Sequence, residues 1–294
     1  MKLGFIGLGV MGRPMALNLM EHGHEMGVYA RRAQSAAPLV DSGAMRYASP
    51  AELAANAEVI FTMVTTSSDL EAIALGENGI AAGARRGSVL VDMETISPAV
   101  ARSVAERLAE KGIDMLDAPV LGGPGGAQTA TLSIMVGGKP AVFERARPLF
   151  ECLGKTIQHM GDHGAGQTTK ACNQLALLVA AQGAAEALSL ARASGLDPAK
   201  VRDVMLGGVA ASRVLDLFGK RMVERDFAAG IETRLYHKDL DIVLSLAHGL
   251  GQALPAGALV MQQINAMMGR GDGGNDLSAI IKVLETMSNT DARC

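Results

Sequence analysis

The sequence predicts an α/β domain with a mostly parallel sheet, followed by an all-α domain that a long interdomain helix joins to it. Three observations support this. Short apolar runs alternate with helix-like segments through the first half, the rhythm of βαβ units. A glycine fingerprint separates the first run from the first helix. From about Gly164 onward strand-like runs cease and long helical patterns take over.

The strand-like runs come in order as LGFIG (3–7), MGVYA (26–30), EVIFTMV (58–64), SVLVDM (88–93), IDMLDAP (113–119), TLSIMVGG (131–138) and KTIQHM (155–160). Helix-like segments between them include PMALNLMEHG (14–23), SPAVARSVAERLAEKG (97–112) and PAVFERARPLFECLG (140–154). Helices are then expected over 167–194, 198–206, 236–250 and 255–268. The turn-forming stretch GDHGAG (161–166) marks a boundary, placing a dinucleotide-binding domain at 1–162 and a helical substrate and oligomerisation domain at 163–294. Two further glycine-rich stretches, GGPGGA (122–127) after a strand and GRGDGGND (269–276) between helices, do not read as strand-to-helix phosphate loops.

Composition narrows the function. The chain has 294 residues, 49% of them hydrophobic, enough for two cores. A net charge of -3, no tryptophan and 3% aromatic residues argue against a nucleic-acid partner. The three cysteines, Cys152, Cys172 and Cys294, have no metal spacing, so no metal and a reducing, cytoplasmic setting are expected. MKLGFIGLG is too glycine-rich for a signal peptide, and no run of about twenty uninterrupted apolar residues suggests a membrane.

The fingerprint is Gly7-Leu8-Gly9-Val10-Met11-Gly12, between strand KLGFI and an amphipathic helix, in the manner of a Rossmann-type domain. Gly7 permits the tight turn, Gly9 lets main chain approach a pyrophosphate, and Gly12 lets the helix lie close to the strand. At the end of the second strand, where a carboxylate would bind a ribose 2′-hydroxyl, stand Ala30, Arg31 and Arg32. Two guanidiniums and no carboxylate suit a 2′-phosphate, so NADP(H) is favoured over NAD(H).

A second feature is TTKACNQLALLVAA (168–181), an apolar helix that begins with Lys170, Asn173 and Gln174. Positions three and four apart are helix neighbours, and a buried ammonium is costly unless something uses it. The helix N-terminus and burial both disfavour the charged lysine, while nearby carboxylates act oppositely. His159 and His163 read as hydrogen-bonded structural residues.

With the fingerprint, VLVDMETISP, DAPVLGGPGGA and GAGQTTKACNQ follow in order, and on these the chain resembles the β-hydroxyacid dehydrogenase family over essentially its whole length. The resemblance implies hydride transfer between NAD(P)(H) and a small carboxylate-bearing semialdehyde, tartronate semialdehyde foremost, with 3-hydroxyisobutyrate, glyoxylate and succinic semialdehyde chemistry as alternatives. It implies Lys170 as the catalytic acid/base and Asn173 as an amide holding substrate. Gly122 and Gly123 would bind the substrate carboxylate. Met63, Val64 and Thr65 would flank the adenosine and pyrophosphate half, Thr95 the nicotinamide, and Lys238 would close over the cofactor. A homodimer or homotetramer is implied through the helical domain. Two positions depart from the family pattern: Leu121 replaces a serine before the two glycines, and Glu94 replaces the serine before Thr95. A different class, a dinucleotide-binding scaffold without catalysis, would have no need of Lys170 and Asn173.

Overall fold

The computed structural model describes residues 1–289, so Cys294 lies outside the described residues. Its strands are β1 (Lys2–Ile6), β2 (Glu25–Tyr29), β3 (Met45–Arg46), β4 (Val59–Thr62), β5 (Val89–Asp92), β6 (Asp114–Asp117), β7 (Val120–Leu121), β8 (Leu132–Gly137) and β9 (Gly154–Gly161). Helices between them are α1 (Gly12–Glu21), α2 (Ala33–Asp41), α3 (Pro50–Ala55), α4 (Ser67–Leu75), α5 (Ile80–Gly83), α6 (Pro98–Ala109), α7 (Gly123–Gln128) and α8 (Pro140–Glu151). After β9 come α9 (Ala165–Ala193), α10 (Pro198–Leu206), α11 (Lys220–Glu224), α12 (Thr233–Gly249), α13 (Pro255–Gly269) and α14 (Ile281–Met287).

The strands form one sheet in the order β3-β2-β1-β4-β5-β6-β8-β7, with β9 beside β8. Pairing is parallel from β3 to β6 and between β8 and β9, and antiparallel where β8 meets β6 and β7. The expected mostly parallel sheet is therefore present. Register aligns Ile6 with Tyr29 and Thr62, Thr62 with Asp92, and Asp92 with Asp117. The loops that follow β1, β2, β4, β5 and β6 consequently leave from one edge, where such folds bind ligands.

Along β4 and β5 every residue is buried. Phe61 and Val91 join the core on one face with Phe5, while Ile60 and Leu90 join the core on the other with Leu53 and Val104. Burial on both faces explains why these runs are continuously apolar rather than alternating. Phe5 and Phe61 stack with centroids 5.8 Å apart. Each such side chain contributes about 1.5–3 kcal/mol through burial.

The seven expected strands are present, and two short ones, β3 and β7, were not expected. Two-residue strands are too brief to show periodicity. GGPGGA requires a correction: it follows β7 and opens α7, with Gly122 at φ +125° and Gly123 at φ +59°, so it is a strand-to-helix turn. A helix this rich in glycine and only six residues long leaves no apolar period in the sequence.

The chain divides into two compact units, Met1–Lys170 and from Ala171 onward, whereas composition placed the division at 162/163. The start of α9 thus belongs with the first unit. The rest of α9 contributes Leu178, Ala181, Ala185 and Leu188 to the core of the second unit, together with Leu240, Val243, Val260 and Ile264. At 29 residues, α9 is the one described helix long and apolar enough to cross a bilayer, and its buried face is this core.

Candidate active site

The glycine turn follows directly from β1. Gly7 has φ +99°, and a Cβ there would lie 2.2 Å from Met63 O. At Gly12 a Cβ would lie 1.9 Å from Gly7 O and 2.9 Å from the Phe5 ring, which holds α1 close against β1. At Gly9 nothing lies within 4 Å of the added atom. Leu8 is buried, Met11 is half-buried at the helix start, and Val10 is 70% exposed. α1 has no acidic residue in its first turn and no side-chain cap from Met11. The N–H groups at a helix start lack helical partners and carry partial positive charge. This open cradle, with glycine at each close approach, fits a dinucleotide pyrophosphate.

β2 ends at Tyr29, leading into half-buried Ala30 and exposed Arg31 and Arg32. Arg31 stands 4.0 Å from Asp69 and is largely solvated, so this pair contributes little stability. Asp69 is otherwise engaged in a capping box with Thr66 at the start of α4. After β4, Met63 and Val64 are half-buried and Thr65 is exposed, and the Met63 N–H donates to Ile6 O at 2.8 Å.

The start of α9 is tied to two other segments. Asp117, at the end of β6, accepts from the N–H groups of Gly164 at 2.7 Å and Gln167 at 2.9 Å. Burial raises the Asp117 pKa above the ordinary value, against the opposing effect of these backbone hydrogen bonds. The buried Gln167 donates from Nε2 to Glu94 O at 2.6 Å and accepts from Ile96 N–H at 3.1 Å. It thereby brackets Thr95. Glu94 accepts the Thr95 N–H at 2.9 Å, so this departure from the family pattern caps the loop it belongs to.

One turn beyond Gln167, Lys170 is 9% exposed and donates from Nζ to Val120 O at 2.9 Å. Val120 immediately precedes Leu121, Gly122 and Gly123, so the ammonium is held at the start of the candidate carboxylate loop. The positive φ values of Gly122 and Gly123 are ones that side-chain-bearing residues rarely adopt. The first unit therefore carries Gly7 to Gly12, Met63 to Thr65, Thr95, Gly122, Gly123 and Lys170 on loops and helix starts, with Gly7 close against Met63, Gln167 bonded on either side of Thr95, and Lys170 bonded to Val120.

In the second unit, half-buried Asn173 donates to Gln174 Oε1 at 2.9 Å. Gln174 donates to Asp239 Oδ2 at 2.6 Å, and Lys238 Nζ lies 3.3 Å from Asp239 Oδ1. Asn173 and Lys238 are thus joined through a buried amide and carboxylate. Tyr236, one turn from Asp239 on α12, has its pKa raised by burial and by Asp276 and Asp239, so its phenol is held neutral.

Sequence reasoning missed Asp117, Gln167 and Asp239, and left Gln174 open. Spacing contained a signal for two: Gln167 is three residues before Lys170, and Asp239 adjoins Lys238. His159 and His163 bond to Gly138 O at 2.8 Å and Met115 O at 3.0 Å, as expected of structural histidines.

Two family models match the chain. The NAD binding domain of 6-phosphogluconate dehydrogenase matches residues 2–161, and the NAD-binding region of NADP-dependent 3-hydroxyisobutyrate dehydrogenase matches residues 164–284. The chain is 42% identical over 289 residues to 2-hydroxy-3-oxopropionate reductase of Escherichia coli (strain K12), covering 98% of this chain and 99% of that one. It is 38% identical over 290 residues to 3-hydroxyisobutyrate dehydrogenase of Pseudomonas aeruginosa, covering 96% and 97%. Among solved structures, the Mycobacterium tuberculosis 3-hydroxyisobutyrate dehydrogenase with L-serine superposes with a TM-score of 0.89 at 32% identity, covering 96% and 98%.

Proposed function

The chain belongs to the β-hydroxyacid dehydrogenase family of nicotinamide-dinucleotide-dependent oxidoreductases, and on that premise we propose that it reduces a small carboxylate-bearing semialdehyde, tartronate semialdehyde foremost, with Lys170 as the proton donor. Family membership leaves the non-catalytic scaffold without support. The observation that carries the proposal is the buried Lys170 ammonium, bonded to Val120 O beside the Gly122–Gly123 turn.

The bound dinucleotide supplies the hydride. Gly7 to Gly12 would hold its pyrophosphate at the start of α1, Met63, Val64 and Thr65 would flank the adenosine half, and Thr95 would lie toward the nicotinamide. Main-chain N–H groups of Gly122 and Gly123 receive the substrate carboxylate. In reduction negative charge develops on the carbonyl oxygen, and Lys170 Nζ–H would donate its proton there. In oxidation the neutral amine takes the hydroxyl proton instead. Asn173 orients the substrate, and Lys238, set by Asp239, closes over the cofactor. Arg31 and Arg32 favour NADP(H) through a 2′-phosphate.

Initial rates with tartronate, succinic, methylmalonate and glyoxylate (semi)aldehydes, each with NADH and NADPH, test substrate and cofactor together. Lys170→Ala is expected to abolish turnover while dinucleotide binding stays measurable, and an active variant removes the lysine from the mechanism. The Arg31→Ala/Arg32→Ala pair is expected to lower NADPH preference by about tenfold, the worth of one charged hydrogen bond. A cytoplasmic homodimer or homotetramer completes the proposal, and a monomer by light scattering would contradict that assembly.

One feature favours a second substrate. Leu121 is half-buried where the family has serine, so an apolar substituent, as in 3-hydroxyisobutyrate chemistry, meets less polar surroundings. Leu121→Ser is expected to lower KM for hydroxyl-bearing substrates by about two- to tenfold.

A further inference from the structure

We propose that the first unit carries a second anion site, at the edge of the sheet opposite the glycine cradle, which takes a small phosphate-bearing molecule. A cavity of about 240 Å³ opens there. Its walls come from segments entering three adjacent strands: Lys2 of β1, residues 56–58 before β4 and residues 85–88 before β5. Register places these segments at the Leu3, Val59 and Val89 ends of the strands, whereas the cradle follows Ile6. A ligand here is therefore separate from a dinucleotide held at Gly9.

The charge is one-sided. Lys2, Arg85, Arg86 and Arg145 line the cavity against one carboxylate, Glu58, in a chain whose net charge is -3. Arg145 is braced: it donates to Gly87 O at 3.1 Å and lies 3.7 Å from Asp114. Glu58 is engaged by the Lys2 main-chain N–H at 3.0 Å. Arg85 and Arg86 make no side-chain hydrogen bond or ion pair among the described residues. Ser88, only 5% exposed, lines the same cavity, and its hydroxyl also has no hydrogen-bond partner among the described residues.

Two unpaired guanidinium forks beside the Ser88 hydroxyl match the oxygens of a phosphoryl group, which accepts bidentate bonds and several donors at once. Size limits the ligand further. At about 30 Å³ per water, the cavity has room for roughly eight waters. That suits pyrophosphate or a small phosphate monoester. Glu58, the one carboxylate on the wall, suits a ligand hydroxyl.

The test is calorimetric titration of the full chain saturated with NADP(H), so that the cradle is filled, using inorganic pyrophosphate and glycerol phosphate as separate probes. One-site binding of either probe is expected, and the tighter of the two tells free diphosphate from ester. Arg85→Ala and Arg86→Ala are each expected to weaken binding about tenfold or more, and Ser88→Ala about fivefold. Arg85→Lys/Arg86→Lys, which keeps the charge and loses the fork, should fall between. Turnover and melting temperature without probe should match wild type in the arginine variants. No binding of either probe at millimolar concentration, or equal affinity in the Arg85→Ala/Arg86→Ala variant, overturns the site.

Discussion

α1 and α9 both begin at the end of a strand of the first unit, and both starts are so crowded that glycine is required. An added Cβ at Gly12 would meet Gly7 O at 1.9 Å, and one at Gly166 would meet Met135 O at 2.4 Å and Asp117 O at 2.5 Å. What lies beyond differs. α9 receives a carboxylate from its own chain, because Asp117 accepts from Gly164 and Gln167. α1 receives none: no side chain caps it, and the space at Gly9 is open. A helix start favours an anion in either case. When the anion is built in, the helix is anchored and Lys170 is positioned. When it is left out, the same physics leaves a helix start that fits an anion.

The largest expected effect is at Gly12→Ala. The clashing atom is main chain and cannot rotate away, so about 3 kcal/mol of stability should be lost together with dinucleotide affinity. Urea unfolding and a fluorescence titration with NADPH check this, and a stable, tightly binding variant would break the comparison at its α1 end. Asp117→Asn comes next. Its amide cannot accept at both positions, so one N–H at the start of α9 loses its partner, costing about 1–3 kcal/mol. Turnover should fall while dinucleotide affinity stays at the wild-type value, because Lys170 moves and the cradle does not. Equal loss of both would mean that the two helix starts are not independent.

Gly9→Val should leave stability within about 1 kcal/mol of wild type, since its side chain enters open space. Dinucleotide affinity should nevertheless fall by about tenfold or more. The smallest effect is a dependence on pH. Because burial raises the Asp117 pKa above 3.8, its contribution to stability is fully present below that value and is lost as pH rises through the folded pKa. The stability difference between wild type and Asp117→Asn should therefore shrink from acid toward neutral pH, measured as urea midpoints across that range. A constant difference would show that Asp117 does not titrate over this window.

Much of the candidate site's local geometry was legible because its signals are local. The Gly7–Gly12 spacing lies on one turn, and Lys170 and Asn173 lie on one stretch of helix. The structure gives each glycine of the turn a distinct surrounding, as its position implied. Asp117 was not legible, because its bonds reach Gly164 and Gln167 across 47 and 50 residues, and helical spacing marked Gln167 without showing its bonds to Glu94 and Ile96 across 73 and 71. DAP reads as the end of a strand, and nothing local says that its aspartate will hold another helix. GGPGGA was misread for a related reason: its conformation is set by positive φ values and by pairing of β7 with β8, not by an apolar period.

The sequence by itself determined the alternation of strands and helices, the glycine turn after the first strand, and a lysine at the start of an apolar helix. These follow from main-chain geometry and side-chain periodicity within about twenty residues. Only the tertiary structure decided what surrounds them: that α9 is anchored by Asp117, that Lys170 meets Val120 O, that Asn173 and Lys238 connect through Gln174 and Asp239, and that four cations gather where β1, β4 and β5 begin. Parallel register sets those neighbours, and it depends on burying both faces of the sheet at once, which no single segment encodes.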